Sequence, residues 1–127
     1  MKVLLVNGSP RKNGCTYTAL SEVAKMLNEE GIETEIFYIG TKPIAGCLGC
    51  GKCGELKKCI QNDKVNECLD KLAGADGFVF GSPVYYASAN GSLISFMDRL
   101  FYAGSRRGKE SFYLKPAAAV TSARRAG

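Results

Sequence analysis

The stretch "KVLLVNGSPRKNGCT", residues 2–16, decides the fold of this 127-residue chain. It opens with a short apolar, β-branched run, which is the pattern of a strand buried on both faces in a parallel sheet. A glycine-containing loop follows at once. From Thr16 to Glu30 apolar residues recur at helical spacing, and Gly31 supplies a helix stop. The order strand, loop, helix therefore predicts the first unit of a parallel α/β sheet.

The same alternation continues along the rest of the chain. "IETEIFYIG" (32–40) predicts a second strand, "DGFVFGSPVYY" (76–86) a third, and "KPAAAVTSARRAG" (115–127) a fourth strand with an arginine-bearing loop. A second helix is expected to start near Asp63 and to place Cys68 in the core. The third helix, "NGSLISFMDRLFY" (90–102), is expected to direct these side chains inward: Leu93, Phe96, Met97, Leu100 and Phe101. The order βαβαβαβ predicts one doubly wound α/β domain over residues 1–127.

Composition narrows the class of protein. Apolar residues make up 46% of the chain and charged residues 23%, which is an ordinary globular balance. The longest apolar stretches fall well short of the roughly 20 residues that a bilayer crossing needs, so we expect a cytoplasmic protein with no membrane partner. Histidine is absent, which excludes Ser-His-Asp and Cys-His nucleophilic systems within the chain. The net charge of +5 is scattered along the chain and gives nucleic-acid binding little support.

The loop after the first strand, "NGSPRKNGCT" (7–16), has the features of a phosphate site. Glycines, two cations and small hydroxyls open directly into a helix N-terminus, where backbone amides and the helix dipole attract anions. A Walker loop is excluded because no lysine follows Gly14, and a Rossmann G-x-G-x-x-G is absent. A terminal monophosphate fits better, held by Ser9, Arg11, Asn13, Cys15 and Thr16. The alternative is a plain turn whose hydroxyls only cap the helix.

Two further loops are expected at the same edge of the sheet, beyond the carboxyl ends of the strands. The loop after the third strand contains Pro83, Val84, Tyr85 and Tyr86, whose backbone amides and aromatic faces suit a flat ring system. After the fourth strand, Thr121, Ser122 and Arg124 could close over that ring. The two tyrosines could equally be packing residues, and the arginines could simply be solvated.

A cysteine-rich insertion occupies residues 44–62, between the second strand and the second helix. Its sequence "CLGCGKCGELKKC" places Cys47, Cys50, Cys53 and Cys59 at the spacing C-x2-C-x2-C-x5-C. Three cysteines at three-residue intervals can curl toward three corners of an iron-sulfur cubane, and the fourth can reach the remaining corner. Nearby glycines permit a tight backbone, and lysines would offset the negative charge. Zinc and thiols that bind no metal remain as alternatives.

The two glycine-containing loops resemble those of the NADPH-dependent FMN reductase group of flavodoxin-like proteins. The cysteine insertion resembles that of the iron-sulfur flavoproteins within this group. The resemblance covers essentially all of residues 1–127. It implies a flavodoxin-like fold, FMN phosphate on the first loop, the isoalloxazine along the second, and a [4Fe-4S] cluster on the four cysteines. The place of the insertion, between the second strand and the second helix, puts it on the same side of the sheet as the expected flavin, so a cluster there would have an electron partner close by. Cys15 departs from the pattern, since asparagine or serine is common at this position.

The resemblance also implies a function. We expect an FMN-dependent oxidoreductase in which the flavin carries the chemistry and no side chain is catalytic, with NAD(P)H as a possible electron donor and the cluster passing single electrons. The acceptor would be a redox partner protein or a small molecule. The alternatives are a clusterless NAD(P)H-dependent FMN or quinone reductase, and a non-enzymatic flavodoxin-like electron carrier, which the positive charge disfavours.

The number of strands differs from the pattern of the fold. Flavodoxin-like sheets have five parallel strands, whereas the sequence to Gly127 predicts four and lacks the last helix and strand. We expect either a longer chain or a neighbouring subunit to complete the sheet, in a homodimer or homotetramer that shortens the distance between cofactors.

Overall fold

The computed structural model describes residues 1–125, so the last two residues of the predicted domain lie outside the described part. The strands are β1 (Lys2–Asn7), β2 (Glu33–Tyr38), β3 (Gly77–Pro83) and β4 (Ala117–Ser122). The helices are α1 (Cys15–Glu29), α2 (Cys53–Leu56), α3 (Lys64–Leu72) and α4 (Gly91–Arg107), followed by a 3-10 turn at Lys109–Ser111. None of these helices is both long and apolar enough to cross a lipid bilayer.

The four strands form one parallel sheet in the order β2-β1-β3-β4. This confirms the predicted flavodoxin-like, doubly wound α/β class, and within residues 1–125 the sheet has four strands, as expected. β4 pairs with β3 on one side only, and Ala117, Ala118 and Ala119 are exposed on it.

The side chains of β1 alternate between the two faces of the sheet, and helices cover both faces. Leu4 and Val6 point to the larger core, which α3 and α4 cover, whereas Leu5 joins Leu20 and Ala24 of α1 in a smaller core on the opposite face. A strand with side chains buried on both faces must be apolar throughout, which is the property that the sequence predicted.

The predicted helix ends agree closely with the structure. α1 begins one residue earlier than expected, and Gly31 ends it with φ of +76°, a left-handed conformation that glycine adopts without strain. Asp63 is the N-cap of α3 and accepts a hydrogen bond from the Val65 amide at 3.1 Å. Helix ends are therefore set by these local signals.

Two details of the helices differ from the expectations. The short helix α2 inside the cysteine insertion was not predicted, because its sequence has no apolar periodicity. Phe101 was expected to face inward but is 37% exposed, because it lies at the margin of the apolar stripe of α4 and packs edge-on against Phe80 and Phe112. Cys68, in contrast, is fully buried, as predicted.

Candidate functional site

The loop between β1 and α1 is held in a fixed shape by side chains at its base. The carboxamide of the buried Asn7 accepts a hydrogen bond from the Ser9 amide at 3.0 Å and donates to the Lys12 carbonyl at 3.1 Å. The Ser9 hydroxyl accepts from the Arg11 amide at 3.1 Å. Asn7 is thus a site residue that the sequence analysis missed, although a polar residue that ends a buried strand was a usable signal.

The N-terminus of α1 lacks a side-chain cap. Gly14 is the N-cap residue and offers no side-chain oxygen, and the first turn carries no acidic residue. Backbone amides of such a first turn have no intrahelical acceptor and attract an anion. Arg11, Asn13 and Cys15 of the predicted set are exposed, whereas Ser9 is buried. The Gly14 amide donates to the Arg11 carbonyl at 3.3 Å, so Arg11 lies against this turn.

Thr16 has a different position from its neighbours in the predicted set. It is only 2% exposed, and its hydroxyl is 3.0 Å from that of Ser122 at the end of β4. Its methyl group packs where a side chain at Gly81 would otherwise stand. Thr16 therefore joins the first loop to β3 and β4, and its backbone amide is the group that remains for a phosphate.

The loops after β3 and β4 meet at one concave surface. Val84, Tyr85 and Arg124 line it, together with Ala123 and Arg125. The Val84 amide donates to the Ser122 carbonyl at 2.8 Å, which fixes the two loops relative to each other. Pro83 is the last residue of β3, whereas Tyr86 is 98% exposed and does not line this surface. The loops predicted for a flat ring thus converge, with Tyr86 outside.

The four cysteines of the insertion line a second concave surface. Cys53 is buried as the first residue of α2, Cys59 is half-buried, and Cys47 and Cys50 are exposed. Gly49 and Gly51 have φ of +63° and +69°, which is the tight backbone that the glycines of the insertion predicted. All six cysteines are free thiols. In the described part of the chain no three metal-ligating side chains stand close enough to form a preassembled site.

The middle of α4 lines the same surface, and it contributes Arg99, Tyr102 and Ala103. Arg99 follows the first residue of α4 by eight positions, which corresponds to about 12 Å of helix rise away from the carboxyl edge of the sheet. The cysteines therefore lie beside the middle of α4, whereas the loops after β3 and β4 meet at the carboxyl edge of the sheet. The insertion leaves the carboxyl edge of β2 but packs along the length of α4, since Lys57 reaches the Arg106 carbonyl at 2.9 Å.

Comparison with known proteins gives consistent results. A family model described as NADPH-dependent FMN reductase matches residues 1–127. An iron-sulfur flavoprotein of Methanocaldococcus jannaschii is 42% identical over 99 residues, which cover 78% of this chain and 51% of that protein. An iron-sulfur flavoprotein of Clostridioides difficile is 37% identical over 125 residues, covering 96% of this chain and 54% of that protein. The chain thus spans about half the length of these curated relatives.

Solved structures show the same architecture at lower identity. RosB with a bound flavin-derived intermediate aligns over 100% of this chain and 54% of that chain, with a TM-score of 0.75 at 19% identity. An NAD(P)H:quinone oxidoreductase from Methanothermobacter marburgensis aligns over 97% of this chain and 66% of that chain, with a TM-score of 0.68 at 19% identity. At these identities the likeness supports the fold alone.

Proposed function

The chain belongs to the NADPH-dependent FMN reductase family, and on that premise we propose that it is the FMN-binding part of a flavin-dependent oxidoreductase. The observation that carries the proposal is the convergence of three loops, after β1, β3 and β4, at the carboxyl edge of the sheet. Thr16 and Ser122 bridge the first of these loops to the last. Val84 and Tyr85 share a surface with Arg124.

The residues at this edge fit FMN in charge and in shape. The uncapped first turn of α1, with Arg11 beside it, suits the dianionic phosphate, and Asn7 and Ser9 hold the loop in place for it. The surface between Val84, Tyr85 and Arg124 suits the ring. When bound, FMN supplies the hydride and electron chemistry, and the chain binds and orients it. No acid or base from the protein is required.

We propose further that Cys47, Cys50, Cys53 and Cys59 bind a [4Fe-4S] cluster, which would supply single-electron transfer. Two observations support this assignment. All four cysteines line one surface, and the relatives from Methanocaldococcus jannaschii and Clostridioides difficile are named iron-sulfur flavoproteins. The described residues provide the right number and type of donors on a glycine-rich backbone. Because no three metal-ligating side chains of the described residues stand together, the four sulfurs would have to move toward one another on binding.

NAD(P)H is the electron donor that this proposal favours, and the acceptor would be a partner protein or a small molecule. The cysteine surface lies beside the middle of α4 instead of at the carboxyl edge. A homodimer or homotetramer would shorten the distance from a cluster in one subunit to a flavin in its neighbour. Electron transfer between subunits is thus the simplest use of this geometry.

One observation favours a second candidate, a clusterless NAD(P)H-dependent reductase. Two of the four sulfurs are exposed, and within residues 1–125 the four do not form a preassembled metal site. An FMN-dependent NADPH-azoreductase of Staphylococcus aureus is 29% identical over 100 residues, which cover 79% of this chain and 52% of that protein.

An absorption spectrum of the protein purified without oxygen tests both candidates. The proposal predicts the two bands of an oxidised flavin and a broad shoulder that bleaches with reductant, with acid-labile sulfide in the sample. Flavin bands without the shoulder would support the clusterless reductase. Protein that is colourless after incubation with FMN and removal of the unbound flavin would refute both.

Replacing a cysteine separates the two cofactors, because they occupy different elements of the chain. Cys50→Ser should abolish the shoulder and leave the flavin bands unchanged. Leu56→Ser is the control, since Leu56 is exposed within the same insertion but carries no sulfur; this variant should keep both the shoulder and the flavin bands. A shoulder that survives in Cys50→Ser would refute the ligand assignment.

A further inference from the structure

Arg99 is a charged residue in the apolar stripe of α4, and it is only 1% exposed. Its guanidinium pairs with both carboxylate oxygens of Asp63, at 2.7 and 2.9 Å. It also donates to the carbonyls of Ala45 and Gln61, at 3.2 and 3.0 Å, and through Nε to the Cys59 sulfur at 3.3 Å. All three nitrogens of the group therefore have partners, which is a condition for burying it.

These partners belong to both ends of the cysteine insertion. Ala45 precedes the first cysteine, whereas Cys59, Gln61 and Asp63 form the segment that enters α3. Arg99 thus fastens both ends of the insertion to the middle of α4, and Cys47 and Cys50 lie on the exposed span between them.

Cys59 is held by a second residue as well. The buried Asn66 side chain accepts a hydrogen bond from the Cys59 amide and donates to its carbonyl, both at 2.9 Å. Its backbone is thereby fixed by Asn66 and its sulfur by Arg99. Among the four cysteines of the insertion, Cys59 is the one whose side chain receives a hydrogen bond from a buried charged group.

The contact with the sulfur is separable from the ion pair. Asp63 uses the two terminal nitrogens of the guanidinium, whereas Nε contacts only Cys59. A purely structural pair between α4 and α3 would not need that contact. A donor aimed at a cluster-ligating sulfur stabilises the reduced form, which carries one more negative charge, and so raises the reduction potential.

We propose that Arg99 is a positioning residue for the fourth cluster ligand. It holds Cys59 in place before the cluster binds, and its Nε–H to the Cys59 sulfur makes the cluster easier to reduce. This inference rests on the cluster half of the proposed function, and Asp63 and Asn66 support the same geometry.

The test compares Arg99→Lys with Arg107→Lys in the full chain, reconstituted anaerobically with ferrous iron and sulfide. Arg107 is a matched control because it also fastens the insertion to α4, through the Lys57 carbonyl at 2.6 Å, and pairs with Asp70, but it contacts no sulfur. The readouts are iron per chain and the midpoint potential of the cluster, followed by electron paramagnetic resonance.

Arg99→Lys should shift the reduction equilibrium about tenfold toward the oxidised cluster, which is roughly 59 mV more negative for a one-electron couple. Arg107→Lys should keep the potential of the unsubstituted protein. An unchanged potential in Arg99→Lys, or an equal shift in both variants, would overturn the proposal, because only Arg99 donates a hydrogen bond to the Cys59 sulfur.

A second variant guards against a folding defect in Arg99→Lys. The double variant Arg99→Met, Asp63→Asn removes both charges together, so no unpaired charge is buried, and asparagine still caps α3. It should show the same negative shift of the midpoint potential. A potential equal to that of the unsubstituted protein would overturn the proposal. The positioning role is supported if both Arg99 variants unfold at the same urea concentration as Arg107→Lys and bind less iron, while Arg107→Lys binds as much iron as the unsubstituted protein.

A measurement on the metal-free protein distinguishes failure of this inference from failure of the proposed cluster. If the unsubstituted chain binds flavin but no iron, the cluster half of the proposed function fails. The effect on the reduction potential fails with it, and hydrogen exchange at residues 59–63 then tests whether Arg99 holds the segment around Cys59 in place. At least tenfold faster exchange in Arg99→Lys, with no change there in Arg107→Lys, would support it, and equal rates in the two variants would overturn it.

Discussion

At the scale of single residues, burial separates the six cysteines into different chemical classes. Desolvation raises the pKa of the Cys68 thiol to about 12, and its side chain packs in the core between α3 and the sheet. Cys15, Cys47 and Cys50 are exposed. Only the thiolate is nucleophilic, so exposure and pKa decide which thiols react.

We therefore predict that Cys68 resists alkylation in the folded, metal-free protein. At pH 8 its thiolate fraction is on the order of 10⁻⁴, given that pKa. Brief iodoacetamide treatment followed by peptide mass spectrometry should modify Cys15, Cys47 and Cys50 and leave Cys68 unmodified. The same treatment in denaturant should modify all six. Rapid native labelling of Cys68 would show that its burial is described wrongly.

Between elements, the Glu35 carboxylate of β2 links Lys71 of α3 and Lys2 of β1. Hydrogen bonds from Lys71 and then from Lys2 lower the pKa of this carboxyl below its usual value of 4.5. A carboxyl with a lowered pKa stabilises the fold above its unfolded pKa, and this stabilisation is lost as the pH falls through the folded value.

Glu35→Gln should consequently cost about 1 kcal/mol or less of unfolding free energy at pH 7, and the cost should be smaller at pH 3, below the usual pKa of the carboxyl. Urea unfolding at the two pH values measures it. Glu33→Gln is the control, because that more exposed carboxylate contacts Lys2 alone, at 3.4 Å. A difference between Glu35→Gln and the unsubstituted protein that stays constant with pH would contradict the linkage.

The packing of α1 against β3 depends on a glycine. A Cβ at Gly81 would lie 2.7 Å from Leu20 Cδ1 and 2.9 Å from Thr16 Cγ2, so α1 would have to move away from the sheet. Gly81→Ala should destabilise the fold by about 1–3 kcal/mol and weaken FMN binding, because Thr16 lies in the first turn of α1. Gly46→Ala is the control, since no atom stands within 4 Å of its added Cβ.

Urea unfolding and flavin titration on the two glycine variants check this prediction. Unchanged stability in Gly81→Ala would mean that α1 packs less closely than described. A loss of stability without a loss of FMN affinity would instead disconnect the position of α1 from the phosphate loop.

For the whole molecule, the fold followed from the sequence because each predicted signal is local. Apolar strands, a stop at Gly31 and a cap at Asp63 do not depend on distant contacts. The convergence of Val84, Tyr85 and Arg124 also followed, since parallel strands bring their carboxyl ends to one edge. These parts of the structure could be predicted without any knowledge of side-chain packing.

What escaped prediction depends on contacts between residues far apart in the chain. Arg99 lies 36 residues from Asp63 and 40 from Cys59, so their spacing in the sequence could not predict that these side chains are in contact. An arginine inside an apolar helical stripe was the available signal. The burial of the Thr16 hydroxyl against Ser122, 106 residues away, likewise required the folded sheet.

The central claim is that the carboxyl edge of this sheet binds FMN through its phosphate, and equilibrium titration of FMN against riboflavin tests it most directly. The claim predicts that FMN binds at least tenfold more tightly than riboflavin, since hydrogen bonds to a charged group contribute about 1.5–3 kcal/mol. Arg11→Gln should weaken FMN binding about tenfold and leave riboflavin binding unchanged. Lys25→Gln, the same charge change on an exposed residue about 15 Å along α1, should alter neither. Equal affinities for FMN and riboflavin in the unsubstituted protein would contradict the claim.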